Sequence, residues 1–318
     1  MLILFFFVIG MVLLLKGADW LVDGSSALAK RLKISDIVIG LTVVAFGTSA
    51  PEFVVNLVSS WQGHTQLAIG NILGSNIANM LLILGVAGTI YPLTVKRQTI
   101  WKEIPFSLLA ALVVWILAND VLLDHAGLSA LSRIDGLILL CFFVIFLYYV
   151  VNVALSSKFE KADDIKSISL GKSFGLTLIG LIGLTLGGKL VVDQAVSMAT
   201  ALGISQSIIA LTIVALGTSL PELLTSAIAA YKHKSDIAIG NVVGSNIFNI
   251  FWVLGVSAVI RPLPFDPASN IDVLVGVGAS ALLFAFMFIG KRHVLQRWQA
   301  GLFVALYMGY LAMVVGRL

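Results

Sequence analysis

Charged side chains are scarce in this sequence, and their scarcity excludes the largest class of proteins. Only 11% of the 318 residues are Asp, Glu, Lys or Arg, whereas 59% are hydrophobic. The mean hydropathy is +1.05, and a soluble globular protein carries about 25% charged residues. A water-soluble fold of this length needs far more polar surface, so the composition predicts an integral membrane protein.

Cysteine is nearly absent as well. The single cysteine, Cys141, excludes an intrachain disulfide and a cysteine metal site. The first residues, 1–22, lack the basic stretch and the small-residue cleavage site of a signal peptide. Their apolar run of about 20 residues is long enough to cross a bilayer, so we interpret it as the first transmembrane helix.

Apolar segments of membrane-spanning length recur along the whole chain. Because no water hydrates the backbone in the bilayer core, each segment is expected to be a helix. The predicted segments are 2–22, 36–60, 67–90, 104–123, 134–155, 173–196, 207–230, 237–260, 272–290 and 299–316. The predicted fold class is therefore all-α, with ten transmembrane helices.

The chain consists of two copies of one sequence. At an offset of 170, residues 38–95 align with 208–265 without a gap, and 25 of the 58 pairs are identical. The most polar linker, 156–172, separates a first repeat, 1–155, from a second, 173–318. Five spans are predicted in each repeat, and because five is odd, the second repeat is inverted in the membrane. Secondary transporters commonly have such inverted repeats, with their site near the bilayer midplane.

The distribution of basic residues agrees with this inversion. With the linker 156–172 in the cytoplasm, 15 of the 20 Lys and Arg lie in cytoplasmic loops and three in outer loops. Cytoplasmic loops are typically enriched in this way. The sequence predicts a multi-pass protein with both termini outside, and the lack of a targeting segment favours a prokaryotic inner membrane.

Each repeat carries two polar phrases on consecutive spans. GTSAPE and GNILGSNIAN fall within residues 45–79, and GTSLPE and GNVVGSNIFN within 215–249. A carboxylate inside a membrane is costly and is taken as functional by default, which applies to Glu52 and Glu222. The candidate ligand side chains, spaced to share a helix face, are Thr48, Ser49, Glu52, Ser75, Asn79, Thr218, Ser219, Glu222, Ser245 and Asn249.

A proline precedes each glutamate and should break the helix. Pro51 and Pro221 have no N–H, and their rings clash with the preceding turn. We therefore expect the backbone carbonyls from Ala45 to Gly47, and those beside Ala215, to lose their partners and to become available as ion ligands. Irregular backbone at membrane depth is tolerated where it lines a cavity or is buried in protein.

These groups together offer only oxygen, which suits a hard cation. Calcium takes about six to eight oxygen ligands in flexible geometry, whereas magnesium requires a stricter octahedron. Two glutamates would neutralise a calcium ion, and sodium suits the same ligands. The phrases contain no Cys or His, which argues against zinc or copper, and no Lys or Arg, which argues against an anionic substrate.

Other interpretations of the same residues stay open at this point. Small residues in GSNI favour helix packing, and the recurring asparagines are better explained by helix–helix hydrogen bonds. These asparagines are Asn71, Asn76, Asn241 and Asn246.

Other functions fit less well. A channel fits poorly with an inverted repeat of broken helices. No enzyme is predicted, because no His or Lys completes a catalytic set with Ser49 and Glu52. A proton/calcium exchanger with the same fold and site is the alternative.

The paired phrases resemble the alpha-repeats of the cation/calcium exchanger superfamily, and within it those of the bacterial and archaeal sodium/calcium antiporters. The resemblance covers the whole chain, since that family also has ten helices in two inverted sets of five. It implies that calcium leaves the cell in exchange for entering sodium. It also implies four central ion sites lined by the second, third, seventh and eighth helices, and a first helix in each half that slides to alternate access.

The resemblance also implies the ligand set. Eight of the side chains named above and the carbonyls of Ala45 and Ala215 would be ligands, with Asn79 and Asn249 in the remaining polar positions. Some relatives carry an aspartate where this chain has Asn249, so the site here has two carboxylates rather than three. Calcium, sodium and the bilayer are the expected partners, and no cofactor, nucleic acid or obligate protein partner is predicted.

Overall fold

A computed structural model describes residues 2–123, 125, 127–156, 169–202 and 215–316. In this part of the chain, eight helices are long and apolar enough to cross a membrane. A pair bent at Ser49, Asp36–Thr48 with Ala50–Gln62, makes a ninth span. The prediction of an all-helical membrane protein is confirmed.

The secondary structure is helical almost throughout the described residues. The α-helices are Leu2–Leu32, Asp36–Ile39, Ala45–Thr48, Ala50–Gln62, Thr65–Ile77, Leu84–Ile90, Arg97–Trp101, Glu103–Leu117, Asp120–Leu123, Arg133–Ser156, Leu170–Ala201, Ala215–Thr218, Leu220–Tyr231, Ser235–Phe248, Gly255–Ile260, Asn270–Phe286 and Arg297–Gly316. The π-helical stretches are Gly40–Val44, Ala78–Ile83 and Asn249–Leu254, and Pro267–Ser269 is a 3₁₀ turn. The strands are Leu93–Thr94, Ala130–Leu131, Leu263–Pro264 and Val294–Leu295.

Two predicted segments need comment. The predicted bounds 104–123 are wrong, because the helix Glu103–Leu117 ends earlier and Asp120–Leu123 is a separate short helix. Between these two helices, Asn119 exchanges hydrogen bonds of 2.8 and 2.9 Å with Asn270. The predicted segment 207–230 lies partly outside the described residues.

The two longest helices, Leu2–Leu32 and Leu170–Ala201, pack together through glycines. A Cβ atom placed on Gly17 would lie 2.7 Å from the backbone nitrogen of Leu184, and one on Gly180 would lie 2.6 Å from that of Leu21. Such close backbone approach is typical of helix pairs in membranes. Both helices extend beyond the predicted segments by several residues.

The connections gather at two ends of the bundle. At one end Lys96 forms an ion pair of 2.5 Å with Asp236. At the other end Gln66 donates a hydrogen bond of 3.2 Å to the carbonyl of Pro264. The helical segment Thr65–Ile90 runs between these ends. The loops that contain Lys96 and Lys234, both predicted to be cytoplasmic, therefore meet at one end, which we call the Lys96 end.

Aromatic side chains of both repeats pack beside the polar motifs. The ring of Phe46 stacks on that of Phe248 with centroids 4.5 Å apart, and Phe53 lies 6.1 Å from Trp252. These apolar contacts surround the centre of the bundle, so the polar side chains there are shielded from the lipid.

Candidate cation site

Each polar motif breaks its helix at the serine before the proline. Ser49 has φ −83° and ψ 6°, and Ser219 has φ −88° and ψ 4°. A new helix begins one residue later in both copies, with the proline in its first turn. The two parts of the first broken span meet at an angle of 47°. The breaks predicted from Pro51 and Pro221 are confirmed.

The breaks place each glutamate in the first turn of a helix, where free backbone N–H groups favour negative charge. Glu52 and Glu222 are each 1% exposed. Oε1 of Glu222 accepts a hydrogen bond of 2.8 Å from Ser49 Oγ, and Oε1 of Glu52 accepts one of 3.3 Å from Ser219 Oγ. Each carboxylate is therefore held by a serine of the other repeat.

The remaining carboxylate oxygens have no partner. Oε2 of Glu52 and Oε2 of Glu222 are buried without a hydrogen bond in the described part of the chain, and so are the Oδ1 atoms of Asn79 and Asn249. A buried acceptor without a donor costs about 1–3 kcal/mol, and more when it is charged. Four such oxygens in two matching pairs suit a cation, which would satisfy them together.

The two serines of the GSNI phrases also contact the other repeat. Ser75 Oγ lies 3.5 Å from Glu52 Oε1 and 3.2 Å from Ser219 Oγ. Ser245 Oγ donates a hydrogen bond of 3.4 Å to the carbonyl of Ala45. The structure thus brings both motifs of both repeats into one polar cluster.

The expectation that the Ala45 carbonyl lacks a partner is wrong. It accepts hydrogen bonds from the Ser49 N–H at 3.0 Å and from the hydroxyls of Thr48 and Ser245 at 3.2 and 3.4 Å. The proline removes the donor that would serve Gly47, four residues before Pro51, and leaves the Ser49 N–H in place. Ala215 begins a described helix, but no described contact bears on its carbonyl, so its role stays a prediction.

The recurring asparagines bridge the repeats, as predicted. Thr48 Oγ1 donates to Asn241 Oδ1 at 3.0 Å, and its counterpart Thr218 donates to Asn71 Oδ1 at 3.5 Å. Since a hydroxyl has one proton to donate, Thr48 can donate it to Asn241 or to the carbonyl of Ala45, but not to both at once. The role of both threonines as cation ligands stays a prediction.

Several hydrogen bonds at the site have a counterpart 170 residues away. The bond from Ser49 to Glu222 matches that from Ser219 to Glu52, and Thr48 with Asn241 matches Thr218 with Asn71. Such reciprocity is what a two-fold relation between two copies produces.

The sequence did not reveal the π-helical stretches at the site. Gly40–Val44 precedes the first break, and Asn79 and Asn249 lie at the start of the other two stretches. Single π-helical turns within α-helices are frequent at functional sites. No residue pattern distinguishes them locally, so only the structure shows them.

The site is closed towards the Lys96 end by glycine contacts. A Cβ atom on Gly240 would lie 3.0 Å from the Cα atom of Gly40, and one on Gly244 would lie 2.8 Å from the Cα atom of Leu41. The repeat counterparts, Gly70 and Gly74, have nothing within 4 Å among the described residues. This difference between the two ends holds for the described residues.

A third buried carboxylate lies outside the cluster. Glu103 is 1% exposed, and its Oε1 atom accepts a short hydrogen bond from the hydroxyl of Tyr149. Glu103 was not among the predicted site residues, because it stands at the edge of the predicted segment 104–123. The sequence signal that could have identified Glu103 is an acidic residue next to the boundary of a predicted transmembrane segment.

Comparison with known proteins covers nearly all of the chain. The family described as "Sodium/calcium exchanger protein" matches residues 2–152 and 172–316. The sequence is 30% identical over 340 residues to the sodium/calcium exchanger MaX1 of Methanosarcina acetivorans, covering 95% of each protein. It is 39% identical over 269 residues to the inner membrane protein YrbG of Escherichia coli, covering 82% of this chain and 80% of YrbG.

The fold also has a solved counterpart. The structure of the sodium-calcium exchanger NCX_Mj, soaked with Na⁺ and Sr²⁺, aligns with a TM-score of 0.85 at 37% identity. The alignment covers 98% of both chains. Sequence and fold therefore agree over the whole length of the molecule.

Proposed function

Because the chain belongs to the sodium/calcium exchanger family, we propose that it exchanges calcium for sodium across the membrane by alternating access. That family transports ions and is not a family of enzymes. The observation that carries the proposal is the set of four buried oxygens without partners, on Glu52, Glu222, Asn79 and Asn249. The ions are the substrates, and no resident cofactor is invoked.

The ligands of this proposal are the ten side chains of the two motifs and two backbone carbonyls. Glu52 and Glu222 supply the charge that offsets one calcium ion or two sodium ions. The hydroxyls and amides complete a shell of hard oxygen ligands, which suits calcium and sodium. Ala45 would bind through its carbonyl oxygen in place of the Ser245 hydroxyl, which lies 3.4 Å from it, and Ala215 would bind through its own carbonyl oxygen.

The same charges explain why transport would be an exchange. Two ionised carboxylates buried without a cation are strongly unfavourable. The empty carrier therefore crosses between its two conformations slowly, whereas a carrier loaded with either ion crosses readily. Calcium and sodium compete for overlapping oxygens, so one ion leaves only when the other replaces it.

The packing supports a moving part. The helices Leu2–Leu32 and Leu170–Ala201 touch through backbone rather than through interlocking large side chains, at Gly17 and Gly180 among other positions. Close backbone contact of this kind holds the two helices together, so that they can move as one unit against the rest of the bundle. We assign to this pair the sliding motion that alternates access.

The proposed topology is a five-helix repeat at 1–155, a cytoplasmic linker at 156–172 and an inverted repeat at 173–318. The gathering of Lys96 with the loop that contains Lys232 and Lys234 at one end supports it, since basic loops favour the cytoplasm. Both termini would then face outside.

The test is calcium uptake into liposomes that contain the purified protein. Vesicles are loaded with sodium or with potassium and diluted into sodium-free medium, and a third set carries an acid-inside pH gradient. Uptake only from the sodium-loaded vesicles is expected. Uptake driven by the pH gradient alone would replace sodium with protons as the driving ion, and the free carboxylate oxygens could carry those protons.

A further inference from the structure

Two asparagines outside the ligand set form a closed network with the two inside it. Asn76 and Asn246 are 7% and 3% exposed, and Asn79 and Asn249 are 1% and 0% exposed. We refer to these four residues as the asparagine tetrad. All of its hydrogen bonds cross between the repeats.

Two backbone carbonyls fix the direction of the first hydrogen bonds. Asn76 Nδ2 lies 3.2 Å from the backbone oxygen of Asn246, and Asn246 Nδ2 lies 3.3 Å from that of Asn76. A carbonyl oxygen can only accept, so each side-chain amide must direct its NH₂ group there. The Oδ1 atoms of Asn76 and Asn246 are then available as acceptors on the other side.

These acceptors are taken by the ligand asparagines. Asn249 Nδ2 donates to Asn76 Oδ1 at 3.1 Å, and Asn79 Nδ2 donates to Asn246 Oδ1 at 2.9 Å. With its NH₂ group bound in this way, each ligand amide must present its oxygen elsewhere. Those two Oδ1 atoms are the ones without a partner in the described residues. They lie one turn after Ser75 and Ser245, on the helix face that contacts the other motif.

We propose that Asn76 and Asn246 are positioning residues, each of which holds a ligand amide of the other repeat with its oxygen towards the cation. This inference rests on the proposed function, because it takes the buried cluster to be the cation site. The pairing is crossed: Asn76 acts on Asn249, and Asn246 acts on Asn79. The nearer ligand on the same helix, three residues along, is not the one that is held.

The network also selects the kind of ligand at these positions. An ionised aspartate at position 249 has no donor and would set a negative oxygen against Asn76 Oδ1. It would have to bind a proton to make the same hydrogen bond. The tetrad therefore makes positions 79 and 249 neutral oxygen ligands, and the buried charge comes from Glu52 and Glu222 alone.

The test uses cation binding, measured as the rise in melting temperature of the detergent-purified full chain with calcium or with sodium. Asn76→Leu removes the acceptor that fixes Asn249 while keeping a similar side-chain volume. We expect the apparent Kd for calcium to rise about tenfold, the effect of losing one hydrogen bond of ordinary strength. Asn246→Leu should act equally.

A matched control separates positioning from loss of structure. Asn119 and Asn270 also exchange two hydrogen bonds, of 2.8 and 2.9 Å, between the repeats. They are not part of the proposed ligand set. Asn119→Leu should lower the melting temperature of the cation-free protein and leave the Kd for calcium unchanged.

The decisive measurement is a crossed double-mutant cycle. In an Asn249→Ala background, Asn76→Leu should change the Kd by less than about twofold, because the amide that it positions is gone. In an Asn79→Ala background it should still raise the Kd about tenfold. Equal effects in the two backgrounds would overturn the assignment. If Asn76→Leu does not fold, Asn76→Ser enters the same cycle.

The outcomes distinguish this inference from the proposed function. Sodium-driven calcium uptake by the wild type is measured in parallel. A crossed cycle without sodium-driven uptake overturns the proposed exchange and leaves the positioning standing. Sodium-driven uptake together with equal effects of Asn76→Leu in the two backgrounds overturns the positioning and leaves the proposed exchange standing. A wild type that no cation stabilises overturns both.

Discussion

The two repeats share their motifs but differ in their surroundings. In the helix Ser235–Phe248, 13 of the 14 residues are buried, whereas 7 of the 13 residues of its counterpart Thr65–Ile77 are. Gly240 packs against Gly40, while Gly70 has nothing within 4 Å in the described part of the chain. Within the described residues, the shared motif is therefore more tightly packed in the second repeat than in the first.

The difference shows that one sequence pattern supports two packings. If the repeats exchanged their packings, the loose end would become the tight one, and the cluster would face the opposite side. Alternating access requires such a pair of states of similar free energy. In that case the asymmetry would belong to the conformation rather than to the sequence of the motifs.

The largest effect is expected from substituting the two buried glutamates, and it should be equal in both repeats. Glu52→Gln and Glu222→Gln each remove a buried charge that offsets the cation, and each should slow calcium uptake at least about 100-fold, a change of about 2.7 kcal/mol. Liposome flux assays measure it. Glu103→Gln, at a carboxylate of equal burial outside the cluster, serves as the control and should retain flux. Near-normal flux in either glutamate variant would contradict the shared site.

Substitutions of the two serines that contact the glutamates should have smaller effects, and these effects should be unequal. Ser49 donates to Glu222 at 2.8 Å, whereas Ser219 lies 3.3 Å from Glu52 and also contacts Ser75. Hydrogen bonds to charged groups strengthen as they shorten. Ser49→Ala should raise the KM for calcium about tenfold, and Ser219→Ala about threefold. The opposite order would show that these distances do not govern binding.

The glycines test the two packings directly. Gly244→Ala places a methyl group 2.8 Å from the Cα atom of Leu41, whereas Gly74→Ala places one more than 4 Å from every neighbouring atom of the described residues. Overpacking costs about 1–3 kcal/mol, so Gly244→Ala should open the Lys96 end. In a Cys141→Ala background, labelling of Ala229→Cys by an impermeant maleimide should rise about fivefold.

The matched variant Gly74→Ala should leave that labelling unchanged. Ala229 is fully buried one turn before the Lys96 end, so it reports on opening there. Equal labelling in both glycine variants would mean that the two ends do not differ in packing.

The smallest effect concerns an ion pair that only one repeat has. Lys232 Nζ lies 2.6 Å from Asp19 Oδ1 and 2.7 Å from Asp23 Oδ1, and its counterpart in the first repeat is Gln62. Exposed pairs contribute about 0.2–1 kcal/mol. Lys232→Gln should therefore change the exchange rate about twofold, and Lys232→Arg should restore it.

This pair also has a defined pH dependence. Burial lowers the pKa of Lys232, but hydrogen bonds to Asp19 and Asp23 outweigh it and raise the pKa above its usual value. The stabilisation is present at neutral pH and is lost as the pH rises through that raised pKa. Lys232→Gln should remove the alkaline loss of stability in melting curves, and an unchanged curve would contradict the assignment.

The sequence predicted the features that depend on local chemistry or on repetition. The breaks at Ser49 and Ser219 follow from proline, and the meeting of the two motifs follows from their duplication. The Ala45 carbonyl was mispredicted because its partners include Ser245, 200 residues away. The absent N–H of Pro51 affects a different carbonyl.

Other differences arise from tertiary contacts. The helix Leu2–Leu32 continues past the predicted end at residue 22, although polar residues follow there. Lys232 pairs with Asp19 and Asp23 from another part of the chain, which makes a longer helix possible. Glu103 likewise acquires its partner, Tyr149, from a different helix. Composition along a single segment carries no information about such contacts.

The crossed bonds between serines and glutamates bear on the ancestry of the molecule. Since each carboxylate takes its donor from the other repeat, neither repeat contains a complete site. If the proposed topology and ligand set hold, a single five-helix ancestor would have had half of every ligand pair and no closed cage. It could have bound an ion only as a homodimer whose two subunits were inserted in opposite orientations. Gene duplication and fusion would then have joined the two orientations in one chain. The homodimer, by contrast, depended on subunits that happened to insert in opposite orientations.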